Sequence, residues 1–325
     1  MQPELTAEAA RELCAEPILV TGATGFVGYH VCRRLAALGA TVYGLSRSAS
    51  HVRLPLGVRP LPVDMTAREA VQMAFEQARP TRVLNLAALG VDRPFLPLDE
   101  ALAVNVDGTA NALFAAQAIG VRRFIHVGTC YEHAAARPLS DGGTLSTYAA
   151  SKLKAWETWH EFVHNSPLES AALRLFHVYG PGQASTGLIS AAIEAALRGI
   201  VFDMTPGEQQ RDFVFIDDVV AALLLALTMP LKKATTYDIG TGTGYSVRSV
   251  VFKIFEMIGG SGRAAVGALH YRQYEIMQAI ANPVLAQNEL GWQARVNLAD
   301  GLAATIDWHR QQRIAQAAVM GYEQS

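Results

Sequence analysis

The stretch Val20-Thr21-Gly22-Ala23-Thr24-Gly25-Phe26-Val27-Gly28 decides the fold. It follows a short apolar run, Pro17-Ile18-Leu19-Val20, and opens a helical pattern from Tyr29 to Leu38. Three glycines at three-residue spacing therefore sit on a strand-to-helix turn. Gly22 permits the tight turn, Gly25 lets the backbone approach a pyrophosphate, and Gly28 lets the helix pack closely on the sheet. The free N–H groups and positive dipole end of the helix face the phosphates. A dinucleotide site follows, with Gly22, Thr24, Gly25, Phe26 and Val27 as its expected lining.

Outward from this turn, short strand-like runs alternate with helical periods. The strand candidates are 18–21, 41–45, 59–63, 83–87, 123–128 and 171–176, and the helical patterns between them include 25–38, 67–78, 98–119 and 147–164. Alternation of this kind builds a doubly wound parallel sheet of Rossmann type, its strands apolar where helices cover both faces. The second half loses the alternation. Helical patterns (188–198, 217–229, 246–258, 283–290, 298–311) stand with short strands near 201–204 and 236–239. The division predicted is an N-terminal extension (1–16), a dinucleotide-binding domain (17–180) and a stretch (181–325) forming mainly a smaller mixed α/β substrate lobe, the turn at Tyr179-Gly180-Pro181-Gly182-Gln183 joining the last two.

The chain has 325 residues, with 27 Lys plus Arg against 29 Asp plus Glu. No basic surplus argues for nucleic acid. The longest apolar stretch, 219–227, is too short to span a bilayer. Met1 to Glu16 carries acidic residues where a secretory leader would be basic and then apolar, so a cytoplasmic protein is expected. Cys14, Cys32 and Cys130 are odd in number and far apart, which offers neither a disulfide framework nor metal-ligand spacing.

The second strand ends in Ser46-Arg47-Ser48 with no acid to hold a ribose 2′-hydroxyl. Arg47 offers a charge-assisted fork to a 2′-phosphate and the serines offer hydroxyls, which favours NADP(H); with Arg47 stacked on adenine or solvated, NAD(H) is the alternative. Asp64 is placed either to accept from the adenine amino group or to cap the helix after Thr66. Leu86, Ala87 and Ala88 end the fourth strand with small residues that let the backbone pass the cofactor. Met65 and Asn105 complete the expected cofactor contacts, together with Tyr148 and Lys152.

Tyr148-Ala149-Ala150-Ser151-Lys152 puts a phenol and an ammonium four apart on one helix face, and Trp156 and Trp159 continue that stripe inward. The pair follows the fifth strand, whose end carries Gly128-Thr129-Cys130. Carbonyl reduction needs hydride at carbon and a proton at oxygen. A Lys ammonium and an oxidised nicotinamide are expected to pull the Tyr148 hydroxyl below its usual value, letting it serve as acid and base. Thr129 would hydrogen-bond the reacting oxygen, and Lys152 would hold the nicotinamide ribose.

With the Gly-rich loop, Thr129, Tyr148, Lys152 and this order of elements, the chain resembles the extended short-chain dehydrogenase/reductase family, and within it the NAD(P)-dependent nucleotide-sugar epimerases, dehydratases and 4-ketoreductases. Leu173 to Gln183, Arg211-Asp212-Phe213-Val214-Phe215-Ile216-Asp217-Asp218-Val219 and Gly291-Trp292 extend the resemblance from about Pro17 to Arg310. It implies a nucleotide-sugar substrate and a homodimer formed by two helices from each subunit. It also implies that Arg211, and Arg272 after it, clamp the substrate phosphates; the alternative is Arg211 paired with Asp212 or Asp217 to brace the lobe. His177 stands where the family usually has a substrate-touching Asn, so substrate contact and a structural place beside Tyr179 are both open. Cys130 either lines the sugar pocket or is a small buried residue.

Dehydratases of the family follow the catalytic Thr with an acid and then Glu. Here Cys130-Tyr131-Glu132 follows, with the carboxylate one place late, and elimination is disfavoured. The reaction expected is NADPH-dependent reduction of a 4-keto nucleotide sugar, 6-deoxy or not, with a 4-epimerase that retains its cofactor as the alternative. A dehydratase and a non-catalytic NADP-sensing regulator stand further off.

Overall fold

A computed structural model describes residues 6–47, 54–91, 93, 95–135 and 146–322. The first strand, β1 (Ile18–Thr21), is buried throughout. Around it lie β2 (Val42–Ser46), β3 (Arg59–Pro62), β4 (Arg82–Asn85), β5 (Arg123–Thr129) and β6 (Glu169–Leu175). A seventh strand, Thr235–Ile239, pairs with β6, and the order is Thr235–Ile239, β6, β5, β4, β1, β2, β3, parallel throughout. This is the Rossmann-type arrangement, whose strand order reverses at β1.

Helices cover both faces. On one side α1 (Ala7–Ala15), α2 (Phe26–Ala37) and the helix Ile216–Thr228 bury Leu13, Val31, Leu35 and Leu223 against the sheet. On the other, α3 (Arg68–Ala78) and the helices Gly108–Ile119 and Thr147–His164 bury Phe75, Leu113 and Trp159. The pattern at 98–119 is one helical run interrupted at Ala103–Asp107 by a π-turn that carries Asn105.

The stretch after residue 180, expected to form mainly the substrate lobe, also returns to the sheet. Residues 216–239 supply a covering helix and an edge strand to the dinucleotide-binding sheet. The extension is also built into the fold. Glu12 and Glu16 of α1 pair with Arg82, whose side chain is fully buried at the start of β4. Arg82 Nε donates to Leu227 O (3.1 Å), and Arg123 Nη1 donates to Ala226 O and Met229 O (3.2 and 2.9 Å). Two guanidinium groups thus satisfy the orphan carbonyls of helix Ile216–Thr228, at the end where its dipole favours cations.

The lobe combines helices Leu188–Leu197 and Val247–Ile258 with small sheets: Val201–Met204 beside Arg263–Val266, and Gln210–Arg211 between Tyr245–Ser246 and Gln278–Ala279. The final helix runs Leu298–Tyr322, past the predicted end at 311. Among the described residues, no helix is long and apolar enough to cross a membrane.

Candidate active site

A cleft of about 1420 Å³ runs along the carboxyl edge of the sheet. Its lining includes residues that follow the strand ends (Gly22, Arg47, Asp64, Ala87, Cys130 and Phe176) and the lobe residues Arg211 and Arg272. Crevices of this kind, beside the strand-order reversal, are where doubly wound folds bind ligands.

The Gly-rich turn is fixed by sterics. Gly22 has φ +66°, and a Cβ there would lie 2.9 Å from the backbone of Ala87. A Cβ on Gly28 would lie 2.2 Å from Gly22 O, so only glycine lets α2 start this close to β1. Thr21, which the sequence reading passed over, clips the turn to β4. Its Oγ1 donates to Asn85 Oδ1 (2.8 Å) and accepts from the N–H groups of Leu86 and Ala87 (3.1 and 3.0 Å). Gly25 stands at the N-cap of α2, and a glycine has no side chain to satisfy the first-turn N–H groups. These donors, beside a backbone approach that a Cβ would close, fit a dinucleotide pyrophosphate.

Thr24, Phe26, Val27, Ser46, Met65, Leu86 and Ala88 line the same cleft. Arg47 and Asp64 face it together, and Ser48 lies outside the described residues. Asp64 Oδ1 accepts from Thr66 N and Oγ1 (both 2.9 Å), which holds the carboxyl below the usual carboxylate range. The capping alternative thus takes the form of a turn just ahead of α3, whose own N-cap is Ala67. Asn105 departs from expectation: it is buried outside the cleft lining. Its side chain accepts from Leu89 N (2.8 Å) and donates to Leu89 O (3.0 Å) and Ser151 Oγ (2.8 Å), tying the loop after β4 to the helix that carries Tyr148. The π-turn aims it there.

Helix Thr147–His164 begins with Ser146, whose hydroxyl accepts from Ala149 N (3.0 Å). Tyr148 and Lys152 lie one turn apart and both line the cleft. Thr129, at the end of β5, lines the cleft beside them. Lys152 is buried and its Nζ donates to Val127 O (2.8 Å). Inward of them Trp159 is fully buried, stacks on His126 (5.8 Å between centroids) and donates to Ser170 Oγ (2.8 Å). Trp156 Nε1 donates to Thr236 Oγ1 of the seventh strand (2.9 Å).

In the protein alone the Tyr148 phenol moves opposite to the lowering expected beside Lys152 and an oxidised nicotinamide. Burial pushes the Tyr148 hydroxyl above its ordinary value, and the negative charge of Glu132 pushes the same way, against the weaker effect of the Thr129 hydrogen bond. Burial pushes the Lys152 ammonium down, opposed by Glu132. Desolvation outweighs the lowering that the sequence predicted, and the phenol keeps its proton.

Beyond Tyr148 the cleft is lined by Cys130, Tyr131 and His177. Cys130 packs against Phe176, Ala279 and Ala281, and burial raises its thiol to about 12. Tyr131 was dismissed in sequence as a non-carboxylate. It meets Tyr148 edge-on (6.5 Å) and its hydroxyl lies 3.3 Å from His177 Nε2. Burial, then the Arg211 charge, lowers His177 to about 3, so the ring is neutral. Its ring neighbours are Tyr131 and Phe213; Tyr179, the expected neighbour, instead packs on Phe213 and Phe215.

Arg211 is bonded to neither Asp212 nor Asp217. Its Nη2 donates to Glu275 Oε1 (2.5 Å), and its Nη1 donates to Gln210 O (3.0 Å) and Ile276 O (2.5 Å). Asp212 is occupied elsewhere, accepting from Thr241, Gly242 and Ala281. Arg272 stands exposed in the same loop as Glu275. Both arginines therefore border one region of the cleft, Arg211 held by an acid 64 positions away that no local signal marks.

Comparison with known proteins agrees with this architecture. The family model described as the NAD-dependent epimerase/dehydratase family matches residues 18–240. The chain belongs to that family, and it is an NAD(P)-dependent enzyme of the extended short-chain dehydrogenase/reductase type. It is 30% identical to a UDP-glucose 4-epimerase of Mycolicibacterium smegmatis, over 90% of this chain and 98% of the relative. It is 28% identical to a CDP-abequose synthase of Salmonella typhimurium, over 88% and 96%. Among solved structures, MoeE5 in complex with UDP-glucuronic acid and NAD matches with a TM-score of 0.80 and 32% identity, covering 91% of this chain and 99% of that one.

Proposed function

We propose that the protein reduces a 4-keto nucleotide sugar with NADPH. The observation that carries the reading is Tyr148 one helical turn from the buried Lys152, both lining with Thr129 a cleft that also holds two arginines. The bound dinucleotide supplies the hydride. Thr129 and Tyr148 present hydroxyls to the substrate carbonyl, and Tyr148 gives its proton to the oxygen as the carbon is reduced. Lys152, held by Val127 O, orients the nicotinamide ribose and stabilises the phenolate that remains. Arg211 and Arg272 bind the diphosphate, for which a planar fork is suited.

Two observations support reduction over elimination. Cys130 and Tyr131 occupy the two positions after Thr129, and Glu132 is buried with its oxygens directed away from the cleft lining, onto Thr129 N and Arg174. Arg47 beside Asp64 supports NADP(H). The second reading is a 4-epimerase with retained NAD(P), favoured by the similarity to UDP-glucose 4-epimerases. A second copy of the chain is proposed to dock on helices Gly108–Ile119 and Thr147–His164, where Phe114 is 47% exposed and edge-on to Phe162.

The deciding experiment mixes the purified protein with keto and hydroxy nucleotide sugars. Stoichiometric loss of NADPH absorbance with the keto substrate is expected. Interconversion of hydroxy epimers with no net cofactor change would replace this reading by the epimerase.

A further inference from the structure

Glu132 lies beneath the Tyr148–Thr129–Lys152 group and contributes nothing to the lining of the cleft. It is 1% exposed. Its Oε1 accepts from Thr129 N (2.8 Å) and its Oε2 accepts from Arg174 Nε (3.2 Å). Both partners are N–H donors, which favour the carboxylate, as do the charges of Lys152 and Arg174; burial pushes its carboxyl the other way, above the usual range. Gly128 makes the space, because a Cβ on it would lie 2.4 Å from Glu132 Oε1. A buried carboxylate of this kind costs several kcal/mol to desolvate unless it is compensated, on the order of the penalty for any buried ion. Arg174, which also pairs with Asp238 (3.2 Å), compensates it from one side.

We infer that Glu132 is a positioning residue for hydride transfer: it pins the Thr129 backbone and keeps the buried Lys152–Tyr148 pair in its fully protonated form. The inference rests on the catalytic reading of Tyr148 and Lys152. Lys152 has one protein hydrogen bond, to the carbonyl of Val127, and Glu132 accepts from the backbone N–H of Thr129 two residues further along β5, where its negative charge favours the ammonium. The same charge opposes formation of the Tyr148 phenolate. The phenol thus stays protonated ahead of the reaction, and the Lys152 ammonium, kept charged by Glu132, offsets the cost of the phenolate that proton transfer leaves. The other titratable and charged groups around this core are His126 on β5, Cys130 and Tyr131 after it, Arg174 on β6, Asp238 on the seventh strand and Arg211 from the lobe. His126 is held neutral by burial and Cys130 and Tyr131 are raised, so none of these three adds a charge to the core at neutral pH.

The sign of the effect follows from electrostatics. Removing a negative charge lowers the pKa of the ammonium and of the phenol alike. In Glu132→Gln, the Lys152 side-chain signal in lysine-labelled protein, assigned with Lys152→Met, is therefore expected to titrate about one pH unit lower than in the native protein. The alkaline limb of turnover should move the same way. Should Glu132→Gln fold poorly because its amide faces Arg174, Gly128→Ala displaces the carboxylate with Glu132 retained and is expected to shift Lys152 in the same direction. Glu132→Asp, which keeps the charge, should restore most of the native titration. A Lys152 titration at the native position in Glu132→Gln, or in Gly128→Ala where the first variant does not fold, overturns the inference. Full turnover in Tyr148→Phe would instead overturn the catalytic reading, leaving the charge coupling of Glu132 to Lys152 to be judged by the titration alone.

Discussion

Lys152 Nζ donates to the carbonyl oxygen of Val127 at 2.8 Å, tying the helix Thr147–His164 to β5 two residues before its end. The bond sets the height of that helix over the sheet. Tyr148, one turn earlier, is thereby held at the level of Thr129, the last residue of β5.

Tyr148→Phe removes the proposed proton donor and little else, since the ring still packs against Tyr131. Turnover should fall by a factor of about 10² to 10⁴, the usual range for a lost general acid. Cofactor titration by fluorescence should stay within about twofold, because a single hydroxyl is removed. Retained turnover would take Tyr148 out of the mechanism.

Arg47→Asp replaces a phosphate-binding fork by an acid suited to a ribose 2′-hydroxyl. The NADPH/NADH preference, measured as the ratio of kcat/KM values, should fall by about tenfold or more, the equivalent of one lost charge-assisted contact. An unchanged ratio removes Arg47 from cofactor choice.

Thr21→Val keeps the shape of a buried strand residue and deletes the three bonds at the end of β1. Leaving these groups without Thr21 should cost about 1–3 kcal/mol, read as a lower urea midpoint. Cofactor affinity should drop as well, since Gly22 rests on the Ala87 backbone that Thr21 holds. A native midpoint would show that water or backbone replaces the clip.

His177 gives a pH signature. Its folded value is lowered to about 3 from 6.5, so the unfolded chain takes up the proton first as pH falls. Stability from this group is complete above about pH 6.5 and is lost between there and about 3, with a limiting slope of about 1.4 kcal/mol per pH unit. His177→Asn should flatten thermal stability across that window. An equal acid slope in the variant and the native protein would mean that His126 and His30, also lowered by burial, carry it.

Much of the dinucleotide half could be read from residues alone because its signals are local. The glycine spacing, the apolar runs of β1, β4 and β5, and the four-residue offset of Tyr148 and Lys152 each lie within one element. Where sequence failed, the determinant was a distant partner. Thr235–Ile239 alternates polar and apolar residues after a lobe, and only its pairing with β6 makes it part of the main sheet. The place of Asn105 depends on a π-turn, a shift of one residue in hydrogen bonding that composition does not announce. The partner of Arg211 is set by a loop that returns to it from Glu275. Glu132 was visible as a misplaced acid, but its role needed the gap at Gly128 and a guanidinium 42 positions on.

The return of the chain to the sheet at Thr235–Ile239 has a practical consequence. A fragment ending at Gly180 would keep the glycine loop, Tyr148 and Lys152, yet it would strip the neighbour from Glu169–Leu175 and leave that backbone ladder open. An uncovered edge of this length invites a stray strand from another molecule. The nucleotide half cannot be harvested with one cut; a soluble dissection would have to graft residues 213–239 back on.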